Sequence, residues 1–485
     1  MVGITAYGGY VPRLRLSRKA IAAANAWSNP GLAGLGKFER SMCNWDEDSL
    51  TMAVEASRDC LNGTDRKAVD ALVFASTTAP FLDRQNAGVV ATAVNLGRDV
   101  ATLDVAGSQR AGTSALLAAL SKVKAGDAAN ALVVAADHRR ARAGSTAEMN
   151  NGDGAAALAL GNANVIADYL GGTSVSVDFV DHFRGEGEDF DYEWEERWIR
   201  DEGLSKIVPA AVKEALSRTG LAGDAVDHFV MPCTFGKMAG QIAKGAGIRA
   251  EAVRDNLHAQ MGEAGAAHAV VMLVAALEDA APGQTIMVVS FGQGCDVLVF
   301  RTTEALKTLA PRKGIKGHLA GRREETNYMK FLAFNGLIVQ EKGKRAEGDK
   351  GTPLTVLYRN RDMVLGLVGG RCTVCGTLQF PKAAICVNPN CHALHAQEDH
   401  PFQDEPARIM SWSADYLTYT IDPPAHYGMI TFDEGGRFMT DITDCELGKV
   451  DVGMKVKMMF RIKEYDTQRG FRKYFWKAVP QMKEG

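Results

Sequence analysis

Residues 68–76, AVDALVFAS, and residues 225–233, AVDHFVMPC, decide the fold between them. Each follows an amphipathic stretch, SLTMAVEASRDCL at 49–61 and SKIVPAAVKEAL at 205–216. Asp70 and Asp227 lie 227 − 70 = 157 positions apart. Further on, Gly126 of KVKAGDAANALVVAAD and Gly283 of EDAAPGQTIMVVSF lie 283 − 126 = 157 apart. One spacing at two landmarks predicts a duplicated α/β unit that buries one sheet face against its twin. Within each unit, short apolar strands alternate with Ala-rich helical stretches, a pattern that predicts crossovers and a largely parallel sheet.

Working outward, 485 residues are too many for one ordinary core, and the 46% apolar content can fill two or three. The 55 basic and 58 acidic residues give a net charge of −3, which argues against nucleic acid or an anionic membrane as partner. The opening MVGITAYGGYVPRLRL lacks the charged-then-apolar order of a secretory signal. No stretch reaches the ~20 apolar residues of a membrane span, so a cytoplasmic protein is expected. Between the repeats, VDFVDHFRGEGEDFDYEWEERWIRDEG (177–203) is rich in acids and aromatics. It reads as an inserted loop, with three roles open to it: shaping a pocket, meeting a second subunit, or serving as a solvated connector.

After Arg301 the texture changes. TLAPRKGIKGHLAGRREE (308–325) reads as a linker, followed by NYMKFLAFNGLIVQ (327–340) and a polar stretch at 341–353. GGRCTVCGTLQFPKAAICVNPNC (369–391) then carries Cys372, Cys375, Cys386 and Cys391 as Cys-x2-Cys, ten residues, Cys-x4-Cys. Two thiolate pairs on facing knuckles close a tetrahedron with no open position, which predicts a structural Zn²⁺. The other five cysteines are scattered and read as free thiols. Strands at short intervals beyond residue 401, with the turn Glu434-Gly435-Gly436, predict a small β-barrel.

Three stretches then resemble the thiolase superfamily, nearest to 3-hydroxy-3-methylglutaryl-CoA synthases and third-type ketosynthases. They are LDVAGSQRAGTSALLAAL (103–120), AADHRRARAGSTAEMNNGDGAAALALG (135–161) and MGEAGAAHAVVMLVAAL (261–277) with IMVVSFGQGCD (286–296). The last 130 or so residues resemble the zinc-ribbon/OB-fold proteins that accompany such enzymes and bind the acyl-CoA. The resemblance implies a five-layer α-β-α-β-α domain, a homodimer, and an acyl-CoA substrate whose coenzyme A enters as part of it. The expected division is 1–165 and 166–302 for the thiolase-like halves, 303–354 for linker and helical segment, 355–400 for the ribbon and 401–485 for the OB fold.

The family's catalytic groups are replaced. Its nucleophilic cysteine matches Gln109, preceded by Ser108; its acid matches Thr77; its histidine matches Pro232 or Cys233; the ketosynthases' asparagine matches Glu263. Two chemistries are therefore expected as alternatives. A substitute nucleophile, Ser108 or Cys233, could carry an acyl group. Otherwise aldol or retro-aldol chemistry on a β-hydroxyacyl-CoA could use Glu263 and His258 as acid and base, with oxyanion donors near Ser108 and Gln109. A third reading is a non-catalytic acyl-CoA-binding scaffold. For CoA, Lys237 and Lys244 lie seven residues apart, about two helical turns, and match basic residues the synthases use near the phosphates. Arg139, Arg140 and Arg142 are further candidates, and Gly292 and Gly294 resemble the family's loop beside the thioester.

Overall fold

The computed structural model describes residues 1–341 and 351–481. Most of the polar stretch expected at 341–353 lies outside the described residues. The chain forms two compact units. The first is Met1–Cys43, Asp48–Ala91 and Leu96–Leu337; the second takes the two short stretches left between them and everything from Ile338 on.

The first unit is built on nine strands: β1 (Gly3–Tyr10), β2 (Ala71–Ala75), β3 (Ala101–Val105), β4 (Ala131–His138), β5 (Asp153–Gly161), β6 (Ala167–Ser176), β7 (His228–Val230), β8 (Thr285–Phe291) and β9 (Gly294–Thr302). Their order is β7-β8-β9-β6-β1-β5-β4-β2-β3. The duplication is visible in it: β1-β5-β4-β2 answers β6-β9-β8-β7. Asp70 and Asp227 do the same work in the two halves. The Asp70 N–H donates to Asn130 O and the Asp227 N–H to Thr285 O, both at 2.9 Å. Each carboxylate accepts a backbone N–H in return, from Ala129 for Asp70 and Thr285 for Asp227. Gly126 and Gly283 occupy matching turns at φ +82° and +85°, where a side chain would be strained.

The sheet is mixed, not largely parallel. Only β2–β3, β2–β4 and β7–β8 run parallel; β4–β5, β5–β1, β1–β6, β6–β9 and β9–β8 are antiparallel. The reason is local. Strands joined by long helices cross over in parallel, whereas β8 and β9 are separated by only Gly292 and Gln293 and must form a hairpin.

Five helices complete the layers: α1 (Ser49–Cys60), α2 (Ala111–Ala125), α3 (Ser205–Thr219), α4 (Met238–Gly245) and α5 (His268–Asp279). α1, started by a capping box between Asp48 and Thr51, packs on β1, β4 and β5. α3 covers β6 and β9 on the far side. α2 and α5 lie between the sheet halves, touching each other, β4 and β8. The layers thus run α-β-α-β-α. The central helices carry almost only Ala, Val, Leu and Met, so they can be buried all round; Leu116, Leu120, Val271 and Leu273 are within 1% of full burial. The stretch read as a linker is structured as part of this unit. Arg323–Glu325 pairs parallel with Leu14–Ser17, and Tyr328–Phe334 forms a helix.

In the second unit, Val368–Cys372 pairs with Leu378–Gln379 and Gln397–Pro401 in a three-stranded ribbon. Five antiparallel strands follow, in the order Arg437–Asp441, Ala425–Phe432, Ala407–Asp415, Lys455–Asp466 and Phe471–Pro480. The two outer ones close on each other: Thr440 Oγ1 donates to Trp476 O at 2.7 Å, and Ile442 bridges Ala478. The result is a small barrel filled by Phe432, Phe438, Phe460 and Trp476.

Candidate active site and zinc cage

Two adjoining cavities, of about 180 and 230 Å³, lie in the first unit. They share three lining residues: Gln109, Asp181 and His182. Gln109 stands just before α2, where the chain turns from the end of β3 into the helix. Asp181 and His182 come from the acidic, aromatic insertion. That segment forms a short hairpin in which His182 pairs with Glu193 and Phe183 with Tyr192. Phe179 anchors it, stacking on Trp198 at 5.8 Å and packing on Phe291 at the end of β8. Of the three roles open to the insertion, it takes that of cavity wall.

His182 is held from both sides. Its Nδ1 is 3.0 Å from Asp181 Oδ2, and its Nε2 is 3.0 Å from Gln109 Nε2. An amide nitrogen has hydrogens and no lone pair to offer, so Gln109 donates and His182 Nε2 accepts. The imidazole proton then sits on Nδ1, facing the carboxylate. Asp181 Oδ1 and Gln109 Oε1 are buried beside this contact with no hydrogen-bond partner.

Glu263 lines the smaller cavity. Its backbone is stitched to the opposite loop, N–H to Asn150 O at 2.8 Å and carbonyl to the Gly152 N–H at 2.9 Å. Arg139 bonds Glu263 Oε2 and Asp191 Oδ2, each at 2.7 Å, and Arg184 bonds the other oxygen of Asp191 at 2.9 Å. Burial alone would raise both carboxyls; Arg139 is the largest opposing influence on each and, together with His268, His258 and the Gly265 N–H for Glu263 and with Arg184 and His182 for Asp191, it holds both below the ordinary value. Burial pulls Arg139 down in turn, and Glu263 with Asp191 reverses that and keeps it charged. Glu263 is therefore a fixed anion. Arg139, one of the expected CoA contacts, has its charge consumed here. Arg140 pairs with Asp189, and Arg142 lies over the Phe190 ring.

A second carboxylate organises the floor. Asp137 accepts from the Ser76, Thr77 and Thr78 hydroxyls, the Thr77 and Thr78 N–H groups and the Ala266 N–H. Thr77, matching the family's acid, thus sits on an aspartate supplied by β4. Gly265 lets the chain pass over that aspartate: a Cβ there would meet Asp137 Oδ2 at 2.3 Å, and its φ is +55°.

The expected nucleophiles are not activated. Ser108 donates its hydroxyl to Gly292 O at 2.8 Å, and Arg110 Nε takes the same carbonyl at 3.0 Å. Gly292 thereby fixes the approach to Gln109 and lines the larger cavity, while Gly294 begins β9 and lines neither. Cys233 lines the smaller cavity, but burial pushes its thiol up to about 11. His258 lines neither cavity. Its ring lies 4.8 Å from that of His268, and its Nε2 is buried without a partner. Burial, then repulsion from His268, lowers it to about 3, so it is a neutral packed ring at ordinary pH. Lys237 and Lys244 are exposed at the start and in the last turn of α4 and line neither cavity.

Asp181, His182, Asp191 and Asp137 were not singled out from the sequence. The one available signal was a histidine adjoining an aspartate in an aromatic-rich insertion.

In the second unit the four ribbon sulfurs lie within 4.8 Å of one another, with Cys372–Cys391 at 3.9 Å and Cys375–Cys386 at 3.6 Å. Sulfurs 2.3 Å from a tetrahedrally bound zinc are separated by about 3.8 Å, so the cage has the size zinc requires.

Comparison with known proteins agrees with both units. Residues 365–394 match the family described as "ChsH2, rubredoxin-like zinc ribbon domain", and residues 403–461 match "ChsH2, C-terminal OB-fold domain". The hydroxymethylglutaryl-CoA synthase of Methanocella arvoryzae is 30% identical over 321 residues, covering 64% of this chain and 92% of the relative. That of Methanothermobacter thermautotrophicus is 27% identical over 346 residues, 70% of this chain and 99% of the relative. Among solved structures, MvaS in complex with 3-hydroxy-3-methylglutaryl coenzyme A superposes with a TM-score of 0.59 at 20% identity, covering 82% of this chain and 99% of that one. Xanthomonas campestris OleA with bound lauric acid and lauroyl-CoA gives 0.55 at 19% identity, covering 62% and 98%. On the sequence match and the shared fold, this chain belongs to the hydroxymethylglutaryl-CoA synthase family, with a zinc ribbon and OB fold joined behind the thiolase-like domain.

Proposed function

We propose that the chain makes or breaks a carbon–carbon bond at an acyl-CoA thioester without a covalent acyl-enzyme, by aldol or retro-aldol chemistry on a β-hydroxyacyl-CoA. The observation that carries this reading is the occupant of the nucleophile's place. Gln109 stands there with its amide bonded to His182, and neither Ser108 nor Cys233 has the base or the lowered pKa an acyl-enzyme needs.

What remains suits an enolate route. Gln109 lies at the N-terminus of the fifteen-residue α2, where the helix dipole favours the negative charge that grows on a thioester oxygen. Pro232, Phe235, Ile199 and Leu204 supply apolar wall for an acyl group. Lys237 and Lys244 remain the proposed contacts for the CoA phosphates. The ribbon cysteines hold a structural zinc with no part in the reaction. A homodimer is proposed from the resemblance and from β3, a sheet edge that leaves Leu103 41% exposed. Among the described residues no helix is long and apolar enough to cross a membrane.

The reading is tested by product analysis. The purified protein is incubated with 3-hydroxy-3-methylglutaryl-CoA and with straight-chain and branched 3-hydroxyacyl-CoAs. An aldehyde, ketone or keto acid released together with a shortened acyl-CoA supports it. Acyl exchange between thioesters with no carbonyl product overturns it in favour of acyl transfer, and unchanged substrates with measurable CoA-thioester binding favour the scaffold.

A further inference from the structure

We propose that His182 is the proton carrier of this site, with Asp181 as its positioning residue and the reacting carbon–carbon bond seated at the junction of the two cavities. The inference rests on the aldol reading above and adds the residue that performs it.

Three observations converge. Asp181, His182 and Gln109 alone line both cavities, so a substrate that reaches across the junction passes this group whichever side it enters. The imidazole is already set as a base, its Nδ1 proton toward Asp181 Oδ2 at 3.0 Å and its Nε2 lone pair toward the junction. Gln109 Oε1 and Asp181 Oδ1 are buried there without partners, a cost that N–H or O–H donors of the substrate other than the reacting hydroxyl can relieve. Of the other titratable groups around the cavities, Glu263 and Asp191 are committed to Arg139, and Asp191 also to Arg184, while Glu193, cross-strand from His182 on the smaller cavity's wall, has its carboxyl raised by burial.

The step balances within the substrate. A β-hydroxyl displaces the Gln109 amide from His182 Nε2 and gives its proton to that nitrogen. The O–H electron pair becomes the second bond of a new carbonyl as the Cα–Cβ bond breaks. Its electrons pass to Cα as the thioester enolate, with Gln109 free to donate to the enolate oxygen. The imidazolium Nε2–H then returns the proton to Cα. A β-hydroxyacyl-CoA becomes a carbonyl compound and a shortened acyl-CoA with no oxidant, reductant or co-reactant, and the same path reversed is the condensation.

The test compares the full-length protein with His182→Ala and Asp181→Asn. 3-Hydroxy-3-methylglutaryl-CoA and 3-hydroxyhexanoyl-CoA serve as cleavage probes, and α-hydrogen exchange of acetyl-CoA and propionyl-CoA in D2O reads enolate formation directly. Melting temperature and acetyl-CoA binding serve as controls for folding. His182→Ala is expected to lose cleavage and exchange by roughly 100-fold or more with both controls unchanged, and to recover partly with added imidazole. Asp181→Asn is expected to lose less and to gain nothing from imidazole. If the wild type cleaves or exchanges and His182→Ala stays within threefold of it, the role of His182 is overturned while the aldol reading stands. If the wild type neither cleaves nor exchanges any of the four thioesters, the aldol reading falls and His182's role with it.

Discussion

Replacing Arg139 by Met tests whether the polar floor of the site is one charge-balanced unit. The guanidinium bonds Glu263 and Asp191, each at 2.7 Å, and the three side chains are 8%, 14% and 10% exposed. Asp191 keeps Arg184 after the change, whereas Glu263 loses its ion-pair partner. Removing one partner of a buried pair costs about 3–5 kcal/mol, and the surviving Arg184 contact places this variant near the lower end. That is roughly a hundredfold in the folding equilibrium. Urea unfolding followed by tryptophan fluorescence measures it, alongside Glu263→Gln and the double variant. The uncharged Gln relieves the orphaned carboxylate, so the double variant is expected to be more stable than Arg139→Met alone, with a coupling of about 2 kcal/mol. The pH dependence follows from sign. Glu263 is held below its unfolded value of 4.5, so the pair's contribution is complete above that pH and is lost as pH falls through the lower folded value. The variant's handicap narrows in that same acid range. A loss under about 1 kcal/mol, or strictly additive single effects, would refute the account of Glu263 as a fixed anion.

His258 makes a separate pH prediction. Its folded value of about 3 lies below the unfolded 6.5, so the unfolded chain binds the extra proton between them. Stability from this group is complete above 6.5 and falls by about 1.4 kcal/mol per pH unit toward 3; His258→Phe should remove about one proton from the uptake on unfolding at pH 5, measured by potentiometry. Gly265→Ala places a Cβ 2.3 Å from Asp137 Oδ2 at φ +55° and should cost about 2–4 kcal/mol in urea unfolding, with an unchanged midpoint counting against the close approach. Metal analysis should find one zinc per chain, and Cys386→Ser should lose it and raise protease sensitivity of the ribbon without lowering the stability of the first unit.

Local and periodic features were legible in the sequence; long-range juxtapositions were not. The repeat could be read because Asp70 and Asp227 solve the same local problem, tying one strand to its neighbour's lead-in. The ribbon could be read because its four ligands fall within twenty residues and only one metal geometry fits that spacing. Strand direction was misjudged because helical crossovers stand out in sequence, whereas a two-residue hairpin such as Gly292-Gln293 does not. At the site, Gln109 was legible as the residue standing where a cysteine was expected, and it lines both cavities. Its partner His182 is 73 residues away, on an insertion whose acids disguise it as solvated surface. His258 looked like a site residue because it is polar in an Ala/Gly-rich stretch, yet that polarity is spent on a packed histidine pair behind Glu263.

The measurement closest to the central claim is the intact mass of the protein quenched in acid during turnover with acetyl-CoA, acetoacetyl-CoA and a 3-hydroxyacyl-CoA, with Cys233→Ala run beside it. The account predicts the unmodified mass at every time point, a released carbonyl product, and Cys233→Ala within threefold of the wild type. A stable acyl adduct that maps to Cys233 or Ser108 would contradict it and restore the acyl-enzyme route.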